Sequence, residues 1–148
     1  MNIFDIIIEE HKSFRKIANK LEETTSRAVK TRTDLFASLK NELKAHHEAE
    51  EKVLFSELCK HKEIKELTLE SSEEHNVMEH LIGELESLSV EHENWGPKFK
   101  VFKEILEHHL DEEEKEVFSK ARKILDKDTC EKLGKKFQKL DESIENSK

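Results

Sequence analysis

Four short patterns in this chain combine histidine with glutamate at spacings that suit metal ligation. Glu10-His11 and Glu74-His75 are adjacent pairs. His46-x-x-x-Glu50-Glu51 and His109-x-x-x-Glu113-Glu114 are longer ones. The chain carries nine histidines in 148 residues, so these patterns draw on an unusually large imidazole supply. On a helix, a His and a Glu four residues apart lie about 40° from each other on one face. Imidazole and carboxylate together are good ligands for iron and similar ions.

The patterns repeat in order. Glu10-His11 opens the series Phe14, Ile17, Ala18, Leu21, and Glu74-His75 opens Met78, Leu81, Ile82, Leu85 at the same offsets. Phe55 follows Glu50-Glu51 as Phe118 follows Glu113-Glu114. From His11 to His46 is 35 residues, and from His75 to His109 is 34. The chain therefore reads as two helical hairpins, each with one lone His and one His-x-x-x-Glu pair.

The elements that must position these groups follow from apolar periodicity. Five helices are expected, over about 2–24, 32–60, 66–92, 98–126 and 128–145. Asn94-Trp95-Gly96-Pro97 is the clearest break, with Gly closing one helix and Pro opening the next. Thr24–Thr33 is a weaker break. Short links favour antiparallel neighbours, hence an all-α, up-down-up-down four-helix bundle over about 2–126 with an appended C-terminal helix, all in a single domain, 1–148. Three Gly and one Pro are too few for the turns of a strand-rich fold.

Composition narrows the functions. The formal net charge of −8, with acids and bases mixed along the chain, speaks against nucleic acid. No apolar run approaches the ~18 residues of a membrane span. The N-terminus lacks a basic stretch and a cleavage site, and Cys59 and Cys130 have no CxxC spacing. Together these read as a cytoplasmic protein with reduced thiols.

On the helical wheel, His46 and Glu50 fall among Leu35, Leu39, Leu43 and Leu54. His109 and Glu113 fall among Phe102, Leu106 and Val117. They face the core, and His11 and His75 flank their own stripes. Unpaired buried carboxylates cost several kcal/mol each or become protonated. A metal pair resolves the conflict. Two octahedral ions offer about twelve positions. Four His, two bridging Glu and a bridging oxide or hydroxide fill about ten, which leaves room for a small ligand. Glu10 and Glu74 face the bundle and are candidates to hold an imidazole N–H. His47 sits at the stripe edge as a further candidate, whereas His61, His92 and His108 read as surface residues.

This constellation resembles the hemerythrin family, specifically its HHE cation-binding domains, over about residues 3–126. The resemblance implies a non-haem di-iron centre, oxo- or hydroxo-bridged, with Glu50 and Glu113 as bridges and His11, His46, His75 and His109 as terminal ligands. Oxygen-carrying members have a second His four residues after the first on the third helix. Here that position is Glu79, and His80 follows it; of the two, His80 is the preferred completing ligand. The ferritin-type Glu-x-x-His pattern is absent.

The resemblance implies a protein that binds O2, NO or iron for sensing, buffering or storage, with a small diatomic ligand as partner. The alternatives are a di-iron oxidoreductase acting on peroxide, NO or oxygen, an iron donor for iron–sulfur cluster repair, and a structural bundle with zinc or no metal. With no Tyr in the chain, a tyrosyl radical is excluded within it.

Overall fold

A computed structural model of the protein describes residues 1–147. Five rods account for nearly all of it. Helix α1 spans Ile3–Glu22. Helix α2 runs as α-helix over Val29–Ala49, as a π-helical turn over Glu50–Phe55, and as α-helix again over Ser56–Leu58. Helix α3 spans Lys62–Ser87. Helix α4 has the same tripartite form as α2: Trp95–Glu112, a π turn over Glu113–Val117, then Phe118–Ile124. Helix α5 spans Lys127–Asn146.

Helices α1 to α4 form the up-down-up-down bundle, with α1 beside α2 and α4, and α3 beside the same two. The apolar residues divide into two cores. One holds Phe4, Ile7, Leu54, Phe55, Val117, Phe118 and Phe137. The other holds Phe14, Leu39, Leu43, Met78, Phe99 and Leu106. Along each bundle helix the two sets are separated by the histidine and glutamate positions. The polar layer thus lies across the middle of the bundle with apolar packing above and below.

Helix α5 covers the α1–α2 face. Its start is fixed by Asp126, whose carboxylate accepts the Thr129 N–H at 2.8 Å. Its buried stripe is Cys130, Leu133, Phe137 and Asp141, at helical spacing. Gly134 allows the approach: a Cβ there would lie 2.7 Å from the Met1 carbonyl oxygen.

Several expected boundaries move by three to five residues: the second helix begins at Val29 rather than near 32 and the third at Lys62 rather than near 66. The third helix ends at Ser87 rather than near 92, and the fourth begins at Trp95, so Gly96 and Pro97 both lie in its first turn. Pro suits that place because its missing N–H has no helical partner there. The link 88–94 is held instead by Arg32, which donates to the Val90 carbonyl at 2.6 Å and to the Thr24 carbonyl at 2.9 Å. Its guanidinium lies 4.7 Å from the ring centre of Trp95, a fully buried residue. One buried cation therefore ties together both loops at this end of the bundle.

Candidate metal centre

The π turns place the candidate ligands. In each, backbone bonding from i to i+5 brings the second member of an i, i+5 pair under the first. The pairs are Glu50 with Phe55 and Glu113 with Phe118. Plain α-helix would leave each Phe about 140° from its Glu; here all four residues are buried. The repeated Glu-Glu-x-x-x-Phe spacing is thus the sequence trace of a local helix distortion.

The two hairpins are related by an approximate two-fold arrangement. His11 on α1 faces α4: its Nε2 is 3.2 Å from Glu113, its Nδ1 donates to Glu114 at 2.7 Å, and Phe118 stacks on its ring at 15°. His75 on α3 faces α2 in the same manner. Its Nε2 is 3.1 Å from Glu50, its Nδ1 donates to Glu51 at 2.7 Å, and Phe55 stacks at 13°. In return Glu10 on α1 accepts from His46 Nδ1 at 2.6 Å, and Glu74 on α3 accepts from His109 Nδ1 at 2.7 Å. Each of these four imidazoles has a carboxylate behind it that fixes which nitrogen points inward.

What they point at is a shared space. His11, His46, Glu50 and Glu113 offer ligand atoms within 4.8 Å of one another, and so do His75, His109, Glu50 and Glu113. The Nε2 atoms of His46 and His109 stand 3.8 and 3.7 Å from Glu50 and Glu113. Nε2 of His11, His46 and His75 and all four carboxylate oxygens of Glu50 and Glu113 are buried without a hydrogen-bond partner. Such a cluster of orphaned acceptors is rare in a folded interior unless another group satisfies them. The donor set suits two cations sharing two carboxylates.

The electrostatics carry the same strain. Burial and the nearby Glu113 charge push Glu50 well above the usual carboxylate range. Burial would also raise Glu113, but His11 beside it wins and holds it low. Burial opposes charge on His11, yet Glu113 and Glu114 lift it to about 9. Burial pushes His46 and His47 well below the ordinary imidazole value, helped by their histidine neighbours. Without a cation, the pocket must hold protons on a carboxyl and on His11 to limit buried charge.

One histidine breaks the symmetry. His47 is 2% exposed, and its position on α2 is that of Leu110 on α4. It joins His75 and His109 as a third potential ligand group, while neither of its ring nitrogens has a partner. His80 goes the other way. Its side chain is 74% exposed and pairs with Glu84 at 3.4 Å, on the outside of α3. The expectation that His80 completes the site is therefore corrected: five residues after His75 is 140° around the helix, and the fifth inward imidazole comes from α2. Glu79 is exposed as well. His108 lies on the surface with Glu112, as expected. Glu51 and Glu114 were visible only as parts of a motif; the partner each takes, across the bundle, could not be read from one helix.

The comparisons with known proteins agree with this geometry. The hemerythrin HHE cation-binding domain matches residues 2–121. The chain belongs to the hemerythrin HHE cation-binding family. The crystal structure of an HHE cation-binding-domain protein from Mycobacterium kansasii superposes with a TM-score of 0.86. It shares 22% identity, over 99% of this chain and 89% of that one, and so supports the HHE fold alone. No protein of curated function matches the sequence. Among the described residues no helix is long and apolar enough to cross a membrane.

Proposed function

We propose that this HHE protein is a non-haem di-iron protein that binds a small diatomic ligand, O2 or NO, for sensing or buffering. His11 and His46 would hold one iron and His75, His109 and His47 the other, with Glu50 and Glu113 available to both. The observation that carries this reading is the convergence of unpartnered imidazole nitrogens and carboxylate oxygens from four helices on one buried space. When bound, such an iron pair supplies reversible electron exchange with a small ligand.

The chain's own residues set the conditions. Glu10, Glu51, Glu74 and Glu114 hold the Nδ1 protons, so that the Nε2 lone pairs face inward and gain basicity. Phe14, Phe118 and Phe137 line the His11–His46 side at ring distances of 5.0 to 6.3 Å. Apolar walls exclude water and suit an uncharged diatomic better than a reaction that must deliver protons at each turnover. Binding is therefore placed ahead of catalysis. A cytosolic setting belongs to the same reading, since Cys59 and Cys130 are free thiols.

The test is metal analysis and a visible spectrum of protein produced with iron. About two irons per chain and a spectrum that changes reversibly on oxygenation or NO addition are expected. Steady consumption of peroxide or NO with a reductant would shift the assignment to the oxidoreductase class. Zinc alone, or no metal, would overturn it.

A further inference from the structure

The centre is buried, and a cation must still reach it. On the α1–α2 side α5 closes the bundle, with Phe137 edge-on to His46 at 5.6 Å. On the α1–α4 side Arg15 bridges Asp111 at 2.9 Å and Glu114 at 3.0 Å across the seam. On the α3–α4 side a cavity of about 480 Å³ is bounded by Glu79, Gly83, Glu84 and Lys98 but by none of the buried histidines or glutamates. The α2–α3 side is different. Two cavities open there, of about 410 and 290 Å³, and both are bounded by Lys44, His47 and Glu79; the smaller also reaches His75.

His47 is the floor of both cavities and also a member of the buried cluster. Its ring differs from the other four in having no carboxylate behind it. What holds it is the stack on His75, with centroids 3.9 Å apart. An imidazole so placed can bind a cation from the cavity side with one nitrogen and present it inward by side-chain rotation, without breaking a hydrogen bond.

We propose that the cleft between α2 and α3 is the route by which divalent cations load the centre, with His47 as the transfer ligand. The proposal rests on the metal-centre reading above and adds to it the path and the residue that opens it. The rival path is the acidic cavity under α5, bounded by Glu10, Glu42, Asp141 and Glu142. Its charge attracts cations, but it borders the centre only through Glu10, which already holds the His46 Nδ1 proton at 2.6 Å, and no inward imidazole lines it. Phe14 and Phe137 flank that ring.

Stopped-flow uptake of Co²⁺ by the metal-free protein, read by visible absorption, separates the two. Glu79→Trp fills the α2–α3 cleft from an exposed position, and Gln138→Trp fills the acidic cavity from another. Uptake is expected to slow about tenfold in Glu79→Trp, with the final cobalt content unchanged and Gln138→Trp loading at the wild-type rate. Full loading of Glu79→Trp at the wild-type rate, slowing confined to Gln138→Trp, or equal slowing in both would overturn the route and leave the centre standing. No cobalt uptake by any of the proteins would overturn the centre and the route together.

Discussion

The ring of His47 lies face to face with that of His75, their centroids 3.9 Å apart and 17° from parallel. Two cationic imidazoles would repel at this distance, so the stack requires at least one to be neutral, as burial dictates for His47. It also sets three imidazoles around one half of the centre and two around the other.

That asymmetry can be removed. His47→Leu copies the Leu110 position of the other hairpin and should fold normally. After a chelator challenge it should retain about one iron per chain where the wild type retains about two. His80→Ala, on the exposed side of α3, should match the wild type in both iron content and stability, within about 0.5 kcal/mol.

Glu50→Ala and Glu113→Ala should each lose at least one iron, since each removes a carboxylate common to both ligand groups. Chelator treatment lowers the melting temperature of a metal-stabilised protein, by about 4 kcal/mol of linkage when the metal stands a thousandfold above its Kd. In these variants that chelator-dependent drop should shrink markedly. Retention of both irons would refute the bridging roles.

The four carboxylates behind the rings act through orientation. Ala at Glu10, Glu51, Glu74 or Glu114 should reduce metal affinity roughly 10- to 100-fold while the helical circular dichroism stays unchanged. Competition against a calibrated chelator measures it. Gln should recover part of the loss, because its carbonyl still accepts the Nδ1–H.

The metal-free protein should lose stability between about pH 6.5 and 9. His11 is raised to about 9 by its carboxylate partners, so its contribution is complete below the unfolded imidazole value and disappears as pH rises through 9. Asp141 is raised to about 8 by burial and by Glu10, so the folded state holds a proton that the unfolded state has released, and stability again falls up to pH 8. Below about 6.5 the sign reverses for His46 and His47, which stay neutral when folded. Thermal melts across this range test it, and Asp141→Asn should flatten the basic limb.

Arg32→Ala should destabilise the protein by about 3 kcal/mol, or roughly 6–12 °C in melting temperature, without touching metal content. The change leaves the Thr24 and Val90 carbonyls without their guanidinium donor and uncovers Trp95. Arg32→Lys should recover only part, since an ammonium cannot span both loops.

By itself the sequence determined the helices, their pairing into two hairpins, and the inward set His11, His46, Glu50, His75, His109 and Glu113. These follow from periodicity within single helices, which is a local property of spacing. It also pointed to Glu10 and Glu74 as holders of imidazole protons, because by helical angle both face the bundle. Tertiary structure decided what depends on two helices at once. It paired Glu51 with His75 and Glu114 with His11 across the bundle, and it buried His47 while turning His80 outward. An ideal helical wheel puts Phe55 and Phe118 out of line with Glu50 and Glu113. The π turns realign them, so that both Phe and both Glu are buried, one pair on each of the two helices.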